Sequence, residues 1–154
     1  MPQQSDPIRS EFGVRLARVG IAWRQRVDIE FKRQGGLTAA KWRPLYWLGR
    51  LGDGVRQKDL AAALVIEGPS LVRLLDDLEA HHLIERREDP SDRRAKTIHL
   101  TSDGHGVYRR LKEISGDFAA RLLAGISDEE FHICIDVLNR IEARLHATAE
   151  EEAP

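Results

Sequence analysis

The feature that most constrains this chain is a change of hydrophobic period in its middle. Leu60, Ala61 and Leu64 share one face of a short helix over Gln57–Leu64. A linker, Val65-Ile66-Glu67-Gly68, leads to a second helix starting near Pro69, a residue at home in a first helical turn. Leu71, Leu75 and Leu78 mark its buried side, and Ser70, Arg73 and Asp77 fall opposite. The period then becomes alternating. Residues 83–88 and 96–101 read as strands, with Ile98 and Leu100 alternating with Thr97 and His99 around a polar, basic loop at 89–95. Two short helices followed at once by a hairpin make a winged helix-turn-helix.

Longer helices flank this module. The first is expected over residues 6–33, where Phe12, Leu16, Val19, Trp23 and Val27 form one stripe, with Ile21, Ile29 and Phe31 off it, and Gly35-Gly36 ends it. Thr38 is the expected N-cap of a second helix, Ala39–Leu51, in which Pro44 predicts a kink or a late start. After the hairpin, Thr101 caps a helix running to about residue 124, and Ser127-Asp128-Glu129-Glu130 is a capping box for a last one. The first and last two helices carry too much apolar surface to stand alone, so their stripes should be buried against each other and against a second chain. The expected fold is mainly α with a small β-hairpin wing. Residues 37–100 form the winged domain, 8–36 and 101–148 a helical dimerisation region, and 1–7 and 149–154 flexible ends.

Composition sets limits. Charged residues make up 32% and the net charge is −1, so any case for nucleic acid rests on where Arg and Lys sit. The single cysteine, Cys134, permits no internal disulfide; with a polar start and no apolar run near the ~20 residues of a membrane helix, a cytoplasmic protein is expected. No Gly-rich phosphate loop, Gly-x-Ser-x-Gly elbow or His-Glu-x-x-His motif occurs, so no enzyme and no cofactor is expected.

A helix-turn-helix lays its second helix in the major groove, where base edges differ in donors and acceptors. Gly68, Pro69, Ser70 and Arg73 are the candidate reading residues; Arg73 can fork to guanine O6 and N7. The same residues would also suit a plain solvated face. The hairpin tilts the balance. Five basic residues lie between Arg86 and Lys96, and Arg93, Arg94 and Lys96 sit where long cations enter a minor groove, with Asp92 bracing an arginine.

These segments, Gln57 to Ala61, Pro69 to Glu79, Leu83 to Arg86 and Asp89 to Lys96, together with Leu16 to Arg24 and Leu37 to Trp42, resemble the MarR family of bacterial regulators, its SlyA-like branch in particular. The resemblance spans roughly residues 10–145, and the Asp92-x-Arg94 wing motif is its most specific part. It implies a homodimer on a double-stranded, pseudo-palindromic operator, with Arg94 in the minor groove and Ser70 and Arg73 in the recognition helix. Three departures stand out: Gly68 where relatives often carry a polar contact, Pro44 in the second helix, and His81-His82 in place of a Lys-Gly or Ala-Gly turn.

The resemblance also implies an effector, a small aromatic carboxylate or phenol. Arg18, Trp42 and Tyr46 match pocket positions, with Trp23 and Arg43 contributing; an aromatic acid needs a flat apolar slot and one cation. The tryptophans would equally serve as core anchors. Cys134, among Phe131, Ile133, Ile135 and Asp136, is expected to lack the exposure and positive surroundings of a redox sensor. His81, His82, His99 and His105 read as surface residues and not as a metal site. The rival readings are an effector-independent architectural DNA-binding protein and a helical protein-interaction module.

Overall fold

The computed structural model describes residues 7–151; residues 1–6 and 152–154, part of the ends expected to be flexible, lie outside it, as do the side chains of 93, 94, 146 and 148–151. Among the described residues six helices and three strands follow in order: α1 (Pro7–Gly35), α2 (Ala39–Leu51), β1 (Val55–Arg56), α3 (Gln57–Leu64), α4 (Gly68–Ala80), β2 (Ile84–Asp89), β3 (Asp92–Leu100), α5 (Ser102–Leu122) and α6 (Asp128–Glu151). The chain divides into two compact units, residues 1–118 and 119–154. No helix among the described residues is long and apolar enough to cross a membrane.

The first unit is built around leucines. Leu45 and Leu48 of α2, Leu60 and Leu64 of α3, Leu71, Leu75 and Leu78 of α4, Ile84 and Ile98 of the sheet and Leu111 and Ile114 of α5 form one cluster. Burying each such side chain contributes about 1.5–3 kcal/mol. Phe31, placed off the α1 stripe by sequence, belongs to this core: it continues the stripe one turn past Val27 and sits edge-on to Trp42, ring centroids 4.6 Å apart.

Several local expectations need correction. α2 starts at Ala39 and runs unbroken through Pro44, whose ring is buried, so there is no late start. Thr38 occupies the N-cap, yet its side chain makes no cap hydrogen bond; its carbonyl accepts from Lys41 N and Trp42 N instead. Strand β1 was missed, because two residues offer no alternation to read. It pairs with β3 through Val55↔Ile98 and Arg56↔Thr97, placing β3 in the centre of an antiparallel sheet ordered β1-β3-β2. The expected loop at 89–95 is mostly strand: β3 begins at Asp92, and the turn is confined to Asp89-Pro90-Ser91-Asp92.

Two caps hold as read. Thr101 Oγ1 accepts from Gly104 N (3.0 Å) and donates to His82 O (2.6 Å), fixing the passage from sheet to α5. In the second unit, Ser127 N donates to Glu130 Oε2 (2.9 Å) while Glu130 N donates to Ser127 Oγ (3.3 Å), the reciprocal bonds of a capping box.

Candidate nucleic-acid interface

α4 has a buried leucine side and an exposed side. Leu71, Leu75 and Leu78 are each 0% exposed, whereas Gly68, Pro69, Ser70 and Arg73 all face solvent. The cause is the three-and-four spacing of its leucines, which turns the intervening polar residues outward.

Charge along the exposed side is arranged in two halves. The acidic C-terminal half is tied down. The Arg86 guanidinium of β2 donates to Asp76 Oδ1 (2.6 Å) and to Glu79, whose other oxygen accepts from Arg86 N (3.2 Å). Asp77 lies 3.5 Å from Lys41 Nζ and 3.4 Å from His81 Nδ1. Arg73, one turn nearer the N-terminus, has no ion pair among the described residues. The helix therefore presents a small polar residue and a cation at one end, with its carboxylates neutralised at the other.

The His81-His82 departure has a structural meaning. His81 bridges the end of α4 to α2: Nδ1 lies 2.7 Å from Asp77 O and Nε2 3.1 Å from Lys41 Nζ. His82 holds φ 56, the left-handed conformation that favours glycine.

In the wing, Arg87 pairs with Glu85, and Lys96 lies 3.8 Å from Glu88. The Arg93 and Arg94 side chains lie outside the described residues, although their backbone belongs to β3. Asp92 is exposed and, with Arg56, Gln57, Lys58, Ala95 and Lys96, lines a cleft of about 330 Å³ between the wing and the start of α3.

Sequence reasoning passed over Asp89. It is 6% exposed and accepts from Ser91 Oγ (2.7 Å), Ser91 N (2.8 Å) and Arg56 Nε (2.7 Å). The Ser91 hydroxyl and amide, followed by Arg56, hold its carboxyl below the usual carboxylate range. The Asp-Pro-Ser triplet was a readable signal, since Asp at the first and Pro at the second position favour a tight turn.

The effector candidates are dispersed within the chain. Trp42 is buried between Phe31 and Tyr46, and its Nε1 donates to Asp28 Oδ1 (2.8 Å). Tyr46 also faces Tyr108, 6.1 Å between centroids. Trp23 packs edge-on against Phe118 at 5.1 Å, and Arg43 donates to Leu64 O (3.1 Å). Arg18 is exposed on α1, in an open groove of about 480 Å³ with Glu11, Arg15, Val19 and Ala22.

Two further expectations change. Cys134 is exposed on α6, contrary to its apolar neighbours in sequence. His99 is not a surface residue: its side chain is 13% exposed, Nε2 lies 2.9 Å from Thr97 Oγ1, and Nδ1 lies 3.2 Å from Asp53 Oδ1 without the alignment of a hydrogen bond. Among the described residues no three His, Cys, Asp or Glu side chains gather as a metal site.

Known proteins share this arrangement. The MarR family profile matches residues 35–95, the winged segment with its approach. A solved structure of transcriptional regulator PA3341 is 38% identical over 88% of this chain and 98% of its own, with a TM-score of 0.81. A MarR-family regulator from Silicibacter pomeroyi is 30% identical over 78% of this chain and 82% of its own, with a TM-score of 0.68. CouR from Rhodococcus jostii RHA1, solved bound to p-coumaroyl-CoA, is 29% identical over 89% and 95%, with a TM-score of 0.74. Sequence likeness along nearly the whole chain, joined to a buried-and-exposed α4 beside a β-wing, places the protein in the MarR family as a DNA-binding transcriptional regulator and not an enzyme.

Proposed function

We propose that the protein is a cytoplasmic repressor that binds a pseudo-palindromic operator as a homodimer and is released by a small aromatic carboxylate or phenol. The observation that carries this reading is the division of α4: three leucines fully buried, with Ser70 and an Arg73 that has no ion pair among the described residues exposed on the other side. A helix so anchored can enter a major groove without distorting its own core, and Arg73 can reach a guanine edge. Arg94, Arg93 and Lys96 of the wing supply minor-groove and phosphate contacts, with Asp92 as their brace.

Dimerisation is supported by apolar surface that this chain leaves uncovered. Phe12, Leu16 and Val19 of the α1 stripe are exposed, and so are Ile133, Ile135 and Leu145 of α6. A second copy covers such faces, and a two-fold dimer presents two α4 helices to two half-sites. For the effector, CouR offers a family precedent in its bound p-coumaroyl-CoA. In this reading Arg18 supplies the exposed cation, and Trp23, Trp42, Arg43 and Tyr46, which stand apart from it within one chain, supply aromatic and polar groups.

The test is a fluorescence-anisotropy titration on the DNA upstream of the protein's own gene, against scrambled competitor, with and without a panel of aromatic acids. Arg73→Ala relaxes preference at one base position by about 1–3 kcal/mol. Arg94→Ala weakens all DNA by a similar amount and lowers the salt slope by about one. Arg18→Ala abolishes release by the acid and spares DNA binding. Wild-type affinity in both Arg73→Ala and Arg94→Ala would overturn the interface.

A further inference from the structure

The sheet behind the wing is narrow. β1 is 2 residues long and ends its pairing with β3 at Arg56↔Thr97. Beyond that register β2 and β3 continue as a two-stranded ribbon through Glu88↔Lys96 to Asp89↔Asp92, with an irregularity between Glu88 and Asp89. Two-stranded ribbons twist more than wider sheets and are marginal alone. The residues expected at the DNA, Arg93 and Arg94, lie just past the turn of this ribbon.

One side-chain bridge crosses the sheet there. Arg56 projects from β1 on the face it shares with Thr97. Its Nε donates to Asp89 Oδ2 at 2.7 Å, and its Nη2 donates to Ser91 Oγ at 2.9 Å. Asp89 turns its other oxygen to the Ser91 amide and hydroxyl. The bridge thus runs from β1 past the central strand to the end of β2 and the turn, neither of which pairs with β1 through the backbone among the described residues. Arg56 is also the N-cap residue of α3, so the turn is tied to the start of the helix-turn-helix itself. The carboxylate is nearly buried, and charge-assisted bonds of this length are stronger than neutral ones.

We infer that Asp89, held by Arg56 and Ser91, is a positioning residue for DNA binding: it fixes the wing ribbon against β1 and α3, so that the tip reaches the duplex in one orientation. This rests on the proposed contact between wing and DNA. Asp89 itself touches no nucleic acid; its effect passes through the tip arginines.

The experiment compares the full-length protein with Asp89→Asn, Arg56→Gln, Arg94→Ala and Asp89→Asn/Arg94→Ala, reading operator affinity by anisotropy and Ser91 amide exchange by NMR. Asp89→Asn is expected to lower affinity about tenfold and to speed Ser91 exchange, with the melting temperature nearly unchanged. Arg56→Gln should do the same, and it carries the test should Asp89→Asn misfold. In the Arg94→Ala background the Asp89→Asn loss should largely vanish, which a general loss of stability would not produce. If Asp89→Asn and Arg56→Gln bind as wild type does, or if the Asp89→Asn loss is equally large without Arg94, the inference is wrong. If instead Arg94→Ala alone binds as tightly as wild type, the wing-contact reading fails and this inference falls with it, a result separable from the first two.

Discussion

The winged segment and the terminal helices treat apolar side chains in opposite ways. From α2 to β3 most leucines and isoleucines at helical or alternating spacing are buried: Leu45, Leu60, Leu71, Leu75, Leu78 and Ile98 are each 0% exposed. On α1 and α6 residues at similar spacing stay open, with Val19 at 62% and Leu145 at 65%. Periodicity alone does not separate these cases. The difference lies in what the chain can bring against each face. The short helices meet each other and a sheet within a few residues of connection, whereas among the described residues much of the apolar surface of α1, and separately of α6, is exposed. One region buries its own apolar side chains, and the other leaves them open, which in the proposed function a second copy covers.

The sharpest break of this contrast is made inside the core. Leu75→Ala removes a fully buried side chain of α4 and should cost about 2–5 kcal/mol. Chemical denaturation measures it, and operator binding should fall with the folded fraction. A cost below 1 kcal/mol would mean that α4 is held by something other than its leucines.

Val19→Asp tests the opposite region. Because Val19 is exposed in the single chain, the helix and the winged core should keep their circular dichroism. Burying an unpaired carboxylate between two copies is costly, so the dimer should dissociate at least tenfold more readily in sedimentation equilibrium. Operator affinity should drop with it, since one lobe alone reads one half-site. An unchanged dimer would remove the α1 stripe from the proposed interface.

Much of this division was legible in the sequence. The leucine spacing of α3 and α4 and the alternation of β3 each follow one period over enough residues to be read, and the excess apolar surface of the flanking helices was visible as well. What escaped was set by contacts distant in sequence or by segments too short to carry a period. β1 exists because Val55 and Arg56 find partners more than forty residues later, and β3 starts at Asp92 because the turn needs only Asp89 to Ser91. His99 looked like a surface residue because its place beside Asp53 depends on the β1 turn. Asp89 looked like one more loop charge because its partner, Arg56, lies far up the chain. The effector candidates fared differently: among the described residues they are dispersed, and their spacing marks no shared cavity.

A smaller effect sharpens the contrast from within the winged segment. Val65, between α3 and α4, is 90% exposed and holds φ 54 and ψ 51, a left-handed conformation that a β-branched residue adopts at a cost. Its side chain gains little from burial. Val65→Asn should therefore stabilise the protein by about 0.5–1 kcal/mol, because asparagine tolerates this region. Destabilisation in a thermal melt would show that the exposed valine makes a contact worth more than the strain.

The smallest expected effect concerns acid and separates the two regions again. In α6, the Ser127 amide and hydroxyl hold the Glu130 carboxyl below its usual value of 4.5, and in the wing Ser91 and Arg56 hold Asp89 below 3.8. A carboxyl whose pKa is lower in the folded state contributes stability above its unfolded value, and that contribution is lost as pH falls through the folded value. The leucine core carries no such group. Lowering the pH from 6 toward 3 should therefore lower the amide protection factors, meaning exchange relative to the intrinsic rate at each pH, first at Ser127 and Ser91, while the amides of α4 around Leu75 stay protected until the whole fold opens. Glu130→Gln should remove the acid dependence at Ser127 and leave that at Ser91 intact, because the two carboxyls lie in different compact units. Simultaneous loss of protection at Ser127, Ser91 and Leu75 would instead mean that acid unfolds the chain as one body, and that neither turn responds to its own carboxyl.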